Sequence, residues 1–71
     1  MEIKVESSSI GERIKKAREE KGISQKAFSE HGGWFQSEVS RWERGKRNPD
    51  VNSVIKICKV LGVTSDYILG I

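Results

Sequence analysis

The sequence predicts an all-α fold, a compact bundle of five short helices, and three features carry that expectation. An apolar fraction of 35% beside a charged fraction of 32% fits a folded domain rather than a disordered chain. Seven glycines against one proline punctuate the chain with tight turns. Between the glycines, apolar residues return at steps of three and four, which places them on one face of an α-helix. Seventy-one residues make one domain. A domain of that size buries only about 60% of the surface its unfolded chain exposes, so one modest core must hold it.

Residues 1–8 read as a flexible N-terminal arm, either extended or frayed, and residues 9–71 as the domain. Glu2, Lys4 and Glu6 leave the arm with net negative charge, unsuited to embracing an anion. The first helix is expected after Ser9, because Ser9 and Glu12 have the S-x-x-E spacing of a reciprocal cap. Ile10, Ile14 and Ala17 then share a face, with Lys15, Lys16, Glu19 and Glu20 on the wet side, and Gly22 stops the helix. Ser24 caps a second helix to about His31, with Ala27 and Phe28 inward, and Gly32 and Gly33 end it. A third runs from about Gln36 to Arg44 and closes at Gly45. Pro49 holds Asn48 extended, after which Asp50 caps a fourth helix, Val51 to Leu61, striped by Val54, Ile57, Cys58 and Leu61. Gly62 ends it, and Thr64 opens a last helical turn from Ser65 to Leu69. Tyr67, Ile68, Leu69 and Ile71 either close the core or form a contact between two copies.

Several function classes are excluded at this level. One cysteine, Cys58, and one histidine, His31, supply neither a disulfide nor a set with zinc-ligand spacing, so no metal and no cofactor is expected. Cys58 falls on an apolar stripe, the acids are scattered among bases, and no phosphate-cradling glycine loop occurs; the chain is not expected to be an enzyme, and no small-molecule substrate is evident. No apolar run is long enough to span a membrane, the N-terminus lacks a signal-peptide core, and a reducing cytoplasm is the expected location. The formal net charge of +3 suits an anionic partner without defining one.

The third helix carries the chemistry. At ~100° per residue, a buried face centred on Val39 includes Phe35, Trp42 and Glu43 within ~60° and puts Ser37, Arg41 and Arg44 opposite. Gln36 projects from the end whose free N–H groups and positive dipole favour phosphate oxygens. Gln bonds adenine through two atoms, Arg forks onto guanine and Ser serves either, but an ordinary solvated face would look alike. The order of the pieces is more specific: two short helices about a glycine turn, then the basic loop Arg44, Gly45, Lys46, Arg47, Asn48.

The stretch Ile10 to Gly70 resembles the Cro/C1, or xenobiotic-response-element (XRE), type of helix-turn-helix DNA-binding domain of phage repressors and related bacterial regulators. IGERIKKAREEKGISQKAFSE, the glycine at 33, VSRWERGKRNP and VIKICKVLGVTSDYILG carry the likeness. It implies a lambda-repressor-like fold whose third helix enters the major groove of double-stranded DNA, in a transcriptional repressor or regulator. One such domain buries only about 600–1,000 Å² on DNA, so a homodimer on a near-palindromic operator is expected. An ending at Ile71 also leaves room for a missing C-terminal domain.

By the same resemblance, Gln36, Ser37 and Arg41 reach base edges, and Gln25 grips a phosphate and braces Gln36. Ser40, Arg44, Lys46, Arg47 and Asn48 lie along the sugar-phosphate backbone. Glu38 either accepts from a cytosine amino group or repels wrong sequences. Arg18 and Glu43 match the family's internal ion pair, the alternative being two independent surface charges.

Gly32 stands where the family commonly has leucine or valine, and Trp34 and Phe35 where it prefers a small aliphatic and then a Ser or Thr cap. One ring is expected to fill the volume that Gly32 leaves and the other to be partly exposed, and the third helix to start without a side-chain cap. Trp34 and Phe35 are therefore either core or possible DNA contacts on a thymine methyl or deoxyribose. The competing function is a protein-interaction module of antitoxin or transcription-adaptor type on the same scaffold, against which the basic loop argues.

Overall fold

The computed structural model describes residues 7–71 and consists, among them, of five α-helices without a strand: α1 (Ser7–Lys21), α2 (Gln25–Gly32), α3 (Gln36–Glu43), α4 (Val51–Leu61) and α5 (Ser65–Leu69). The expected all-α, lambda-repressor-like architecture is what the chain adopts. α1 begins at Ser7, two residues before the expected cap, so Ser9 lies in the first turn of the helix rather than ahead of it. The last two residues of the expected arm are thus helical, and its residues 1–6 lie outside the described residues.

Three of the expected caps form as local chemistry dictates. Ser24 accepts from the Ala27 amide at 3.0 Å, Asp50 from Ser53 at 2.7 Å and Thr64 from Tyr67 at 3.1 Å. The Ser53 amide, with help from its hydroxyl and from Arg47 and Lys56 nearby, holds the Asp50 carboxyl below its ordinary value. A carboxylate lowered on folding contributes stability above its unfolded pKa and loses it as pH falls through the native value. The fall in Tm between pH 5 and pH 3 is therefore expected to be shallower in Asp50→Asn, which keeps the acceptor but cannot be protonated. Equal acid limbs in circular-dichroism melts would contradict this.

The core is Ile10, Ile14 and Ala17 from α1, Phe28 from α2, Val39 and Trp42 from α3, Ile57 and Leu61 from α4, and Ile68 from α5. Ile68 closes it from the C-terminal side, with Tyr67 and Leu69 half-buried and Ile71 exposed. Cys58, Val54 and Ala27 are half-buried at its edge rather than inside it, because neighbouring residues of their helices take the central positions. Ser29 is buried beside α3 and its hydroxyl donates to the Lys26 carbonyl at 2.7 Å, so it costs little there.

α3 packs most extensively on α1. Gly11 makes that approach possible: a Cβ there would overlap the carbonyl oxygen of Trp42. Glycine inside a helix costs about 1 kcal/mol relative to alanine, and here that cost allows two backbones to touch.

Candidate nucleic-acid interface

Two devices fix α3 in place. At its C-terminal end, Glu43 receives a bidentate ion pair from Arg18, Nε to Oε2 at 2.7 Å and Nη2 to Oε1 at 3.0 Å. Both side chains are nearly buried, and the remaining Arg18 donor Nη1 reaches the Ile23 carbonyl at 2.7 Å. The Glu43 hydrogen bond outweighs burial and raises the Arg18 pKa above its ordinary value. The expected internal pair therefore exists, as a clamp between α1 and the end of α3.

At the other end, the turn between α2 and α3 bends through Gly33, whose φ of 74° is the left-handed conformation that favours glycine. Gly32 remains the last helical residue of α2, and a Cβ there would overlap the Trp34 ring. Trp34 has taken the volume of the missing side chain. It stands edge-on to Phe28 and to Trp42, each with ring centroids 5.0 Å apart. Lys56 of α4 donates to the Gly32 carbonyl at 3.4 Å and ties the same corner to the bundle. Trp34 thus packs half-buried against the core, as expected of one of the two rings.

Phe35 has gone the other way. Periodicity placed it toward the buried face, yet it is 75% exposed. It is the N-cap of α3, with φ −77° and ψ 144°, so helical spacing does not govern its direction, and Trp34 already fills the space it would have entered. As expected, Phe35 supplies no side-chain cap. Glu38 reaches back so that its carboxylate accepts from the Phe35 amide at 3.5 Å, half of a capping box.

The rest of α3 follows the predicted division. Val39, Trp42 and Glu43 are buried, whereas Gln36, Ser37, Arg41 and Arg44 are exposed. The helix ends at Glu43, one residue earlier than expected, with Arg44 as its cap. The chain then folds back: Gly45 donates to the Trp42 carbonyl at 3.0 Å and Lys46 to that of Arg41 at 2.9 Å. Exposed Lys46, Arg47 and Asn48 are thereby held beside the helix. A shallow depression brings Ser37, Glu38 and Arg41 of α3 together with Phe35, Arg47 and Asn48. Among the described residues, Arg41, Arg44, Lys46 and Arg47 meet no carboxylate within ion-pairing distance, unlike Arg18.

Two expected site residues do not line this depression. Gln25 is half-buried and its amide Nε2 donates to Glu43 Oε1 at 3.1 Å, so it joins the clamp. Ser40 is half-buried and its carbonyl accepts from the Arg44 backbone at 3.0 Å and from its guanidinium at 3.3 Å. Asp50 and Ser53 at the start of α4 also line the depression, which sequence reasoning did not anticipate. Their only sequence signal was the cap itself, which says nothing of what the capped end faces.

No group of three His, Cys, Asp or Glu among the described residues is placed to hold a metal, and no described helix is long and apolar enough to cross a membrane. Burial pushes the Cys58 thiol up, away from the thiolate a nucleophile needs.

Comparison with known proteins agrees with this geometry. HTH-type transcriptional regulator ImmR of Bacillus subtilis (strain 168) is 36% identical over 62 residues, covering 87% of this chain and 49% of that protein. The chain spans about half the length of such curated relatives. Among solved structures, SinR, a master regulator for biofilm formation from Bacillus subtilis, determined in complex with DNA, is similar at a TM-score of 0.80 and 38% identity, covering 84% of this chain and 97% of that one. The P22 c2 repressor in complex with a synthetic operator is similar at a TM-score of 0.81 and 32% identity, covering 84% and 91%. The family model described as helix-turn-helix matches residues 14–68, and with the glycine turn, the clamped third helix and its polar outer row in place, the chain belongs to the Cro/C1-type helix-turn-helix family.

Proposed function

We propose that this chain binds double-stranded DNA sequence-specifically, with α3 in the major groove, and that it regulates transcription in the cytoplasm as a homodimeric repressor without catalytic activity. The observation that carries this reading is the outer surface of α3, where Gln36, Ser37 and Arg41 are exposed beside Arg44, Lys46 and Arg47, and none of these four cations meets a carboxylate within ion-pairing distance among the described residues. Gln36 and Arg41 have the donors and acceptors that discriminate base pairs in the wide groove, and Ser37 accepts either pattern. Exposed Arg44, Lys46, Arg47 and Asn48 follow them in the chain and supply donors suited to phosphates. Gln25, locked to Glu43 in the free protein, keeps its side-chain oxygen for Gln36 or a water and its amide for exchange onto a phosphate. That SinR and the P22 c2 repressor are solved in complex with DNA supports DNA as the partner.

Selection of bound fragments from a random duplex library is expected to return an inverted repeat with half-sites ~34 Å apart. On that site, Arg41→Ala should cost about 1–3 kcal/mol and relax one base position, whereas Lys46→Ala should weaken all sequences alike and reduce the salt slope by about one. Equal loss on every sequence from both variants would overturn the division into base-reading and phosphate-binding groups. Binding to no duplex, with a salt-insensitive protein partner instead, would favour an interaction module.

A further inference from the structure

We propose that Phe35 reads the 5-methyl group of a thymine in the major groove, adjacent to the bases met by Gln36 and Arg41; this rests on the DNA-binding reading above. Phe35 is set apart by what it does not do. The core is complete without it, since Trp34 fills the volume beside Gly32 and packs on Phe28 and Trp42. Helices α2, α4 and α5 each open on a side-chain oxygen that caps an amide, whereas α3 opens on a phenyl ring that cannot. The position thus combines a lost cap with an apolar ring left 75% exposed, two unfavourable terms that folding does not offset.

Phe35 nevertheless lines one depression with Ser37, Glu38, Arg41, Arg47, Asn48 and Asp50, and its backbone amide donates to Glu38 at 3.5 Å. An apolar group among base-reading and phosphate-binding groups needs an apolar partner on the same surface of the duplex. Thymine is the standard base that presents one at the major-groove edge, its C5 methyl. A deoxyribose is the other apolar surface within a binding site, but it would carry no sequence information.

The test uses the whole chain and the high-affinity duplex recovered by selection, with each thymine of a half-site replaced in turn by deoxyuridine. One replacement is expected to weaken the wild-type protein about fourfold, the effect of one buried methyl group. The same replacement should leave Phe35→Ala unaffected. Phe35→Ser should lose the methyl preference in the same way while raising Tm by about 4–8 °C, because it supplies the missing cap. If every deoxyuridine duplex binds as well as its parent and Phe35→Ala weakens all sequences equally, the ring rests on sugar and the proposal fails. It fails too if Phe35→Ala binds like the wild type, or if Phe35→Ser lowers Tm, since the ring would then support the fold. A wild-type chain with no preference among duplexes would overturn the DNA-binding reading itself, a result visible before any substitution is made.

Discussion

Glu43→Ala is expected to remove about 3–5 kcal/mol of stability, because it leaves the nearly buried Arg18 guanidinium without its bidentate partner and Gln25 without its acceptor. A domain of this size has only about 4–11 kcal/mol in total, so the variant should sit near the edge of folding, with Tm lowered by more than about 12 °C. The loss measures an uncompensated buried charge rather than the attraction of the intact pair. Replacing both partners with apolar residues, as in Arg18→Met with Glu43→Leu, should therefore recover most of the loss in urea titrations. A double variant as unstable as the single one would show that the clamp contributes net attraction. The clamp also joins α1 to the end of α3, so the recovered fold should bind DNA less well than its stability suggests.

That pair was legible in the sequence through the family resemblance, and physical reasoning agrees with it: a charged residue on the buried edge of a helix is tolerable only with a partner. The caps at Ser24, Asp50 and Thr64 were legible too, since each is settled within three residues. Equally local evidence misplaced the start of α1. The Ser9 and Glu12 spacing resembles a reciprocal cap, but a serine tolerates the helix interior, and α1 extends back to Ser7. The direction of Phe35 was hidden because two adjacent rings competed for one vacancy, and volume, not periodicity, chose between them. The attachment of Gln25 to Glu43 depends on the separation of two helices, which no single-helix pattern contains. Gly11 did leave a trace. A glycine next to Ile10 inside a helix is unfavourable unless something approaches its missing side chain, and the Trp42 carbonyl does.

The vacancy beside Gly32 gives the other large effect, and it appears as non-additivity. Trp34→Val should cost about 2–4 kcal/mol, somewhat less than for a fully buried tryptophan because the ring is half-buried, through an unfilled volume and two lost edge-on aromatic contacts. Gly32→Leu alone should cost about 1–3 kcal/mol, since its first side-chain carbon already overlaps the Trp34 ring. Gly32 has an ordinary helical backbone, unlike Gly33, so leucine meets no conformational obstacle there once the ring is gone. The double variant should accordingly be more stable than the sum of the single losses by about 2 kcal/mol or more, as measured by urea denaturation of all four proteins. Additive losses would mean that the leucine and the indole do not occupy the same space, and the account of why Phe35 is left outside would lose its cause. The cycle thus links stability to recognition: one core vacancy, filled from the far side of the turn, leaves the next ring of the chain at the entrance to α3.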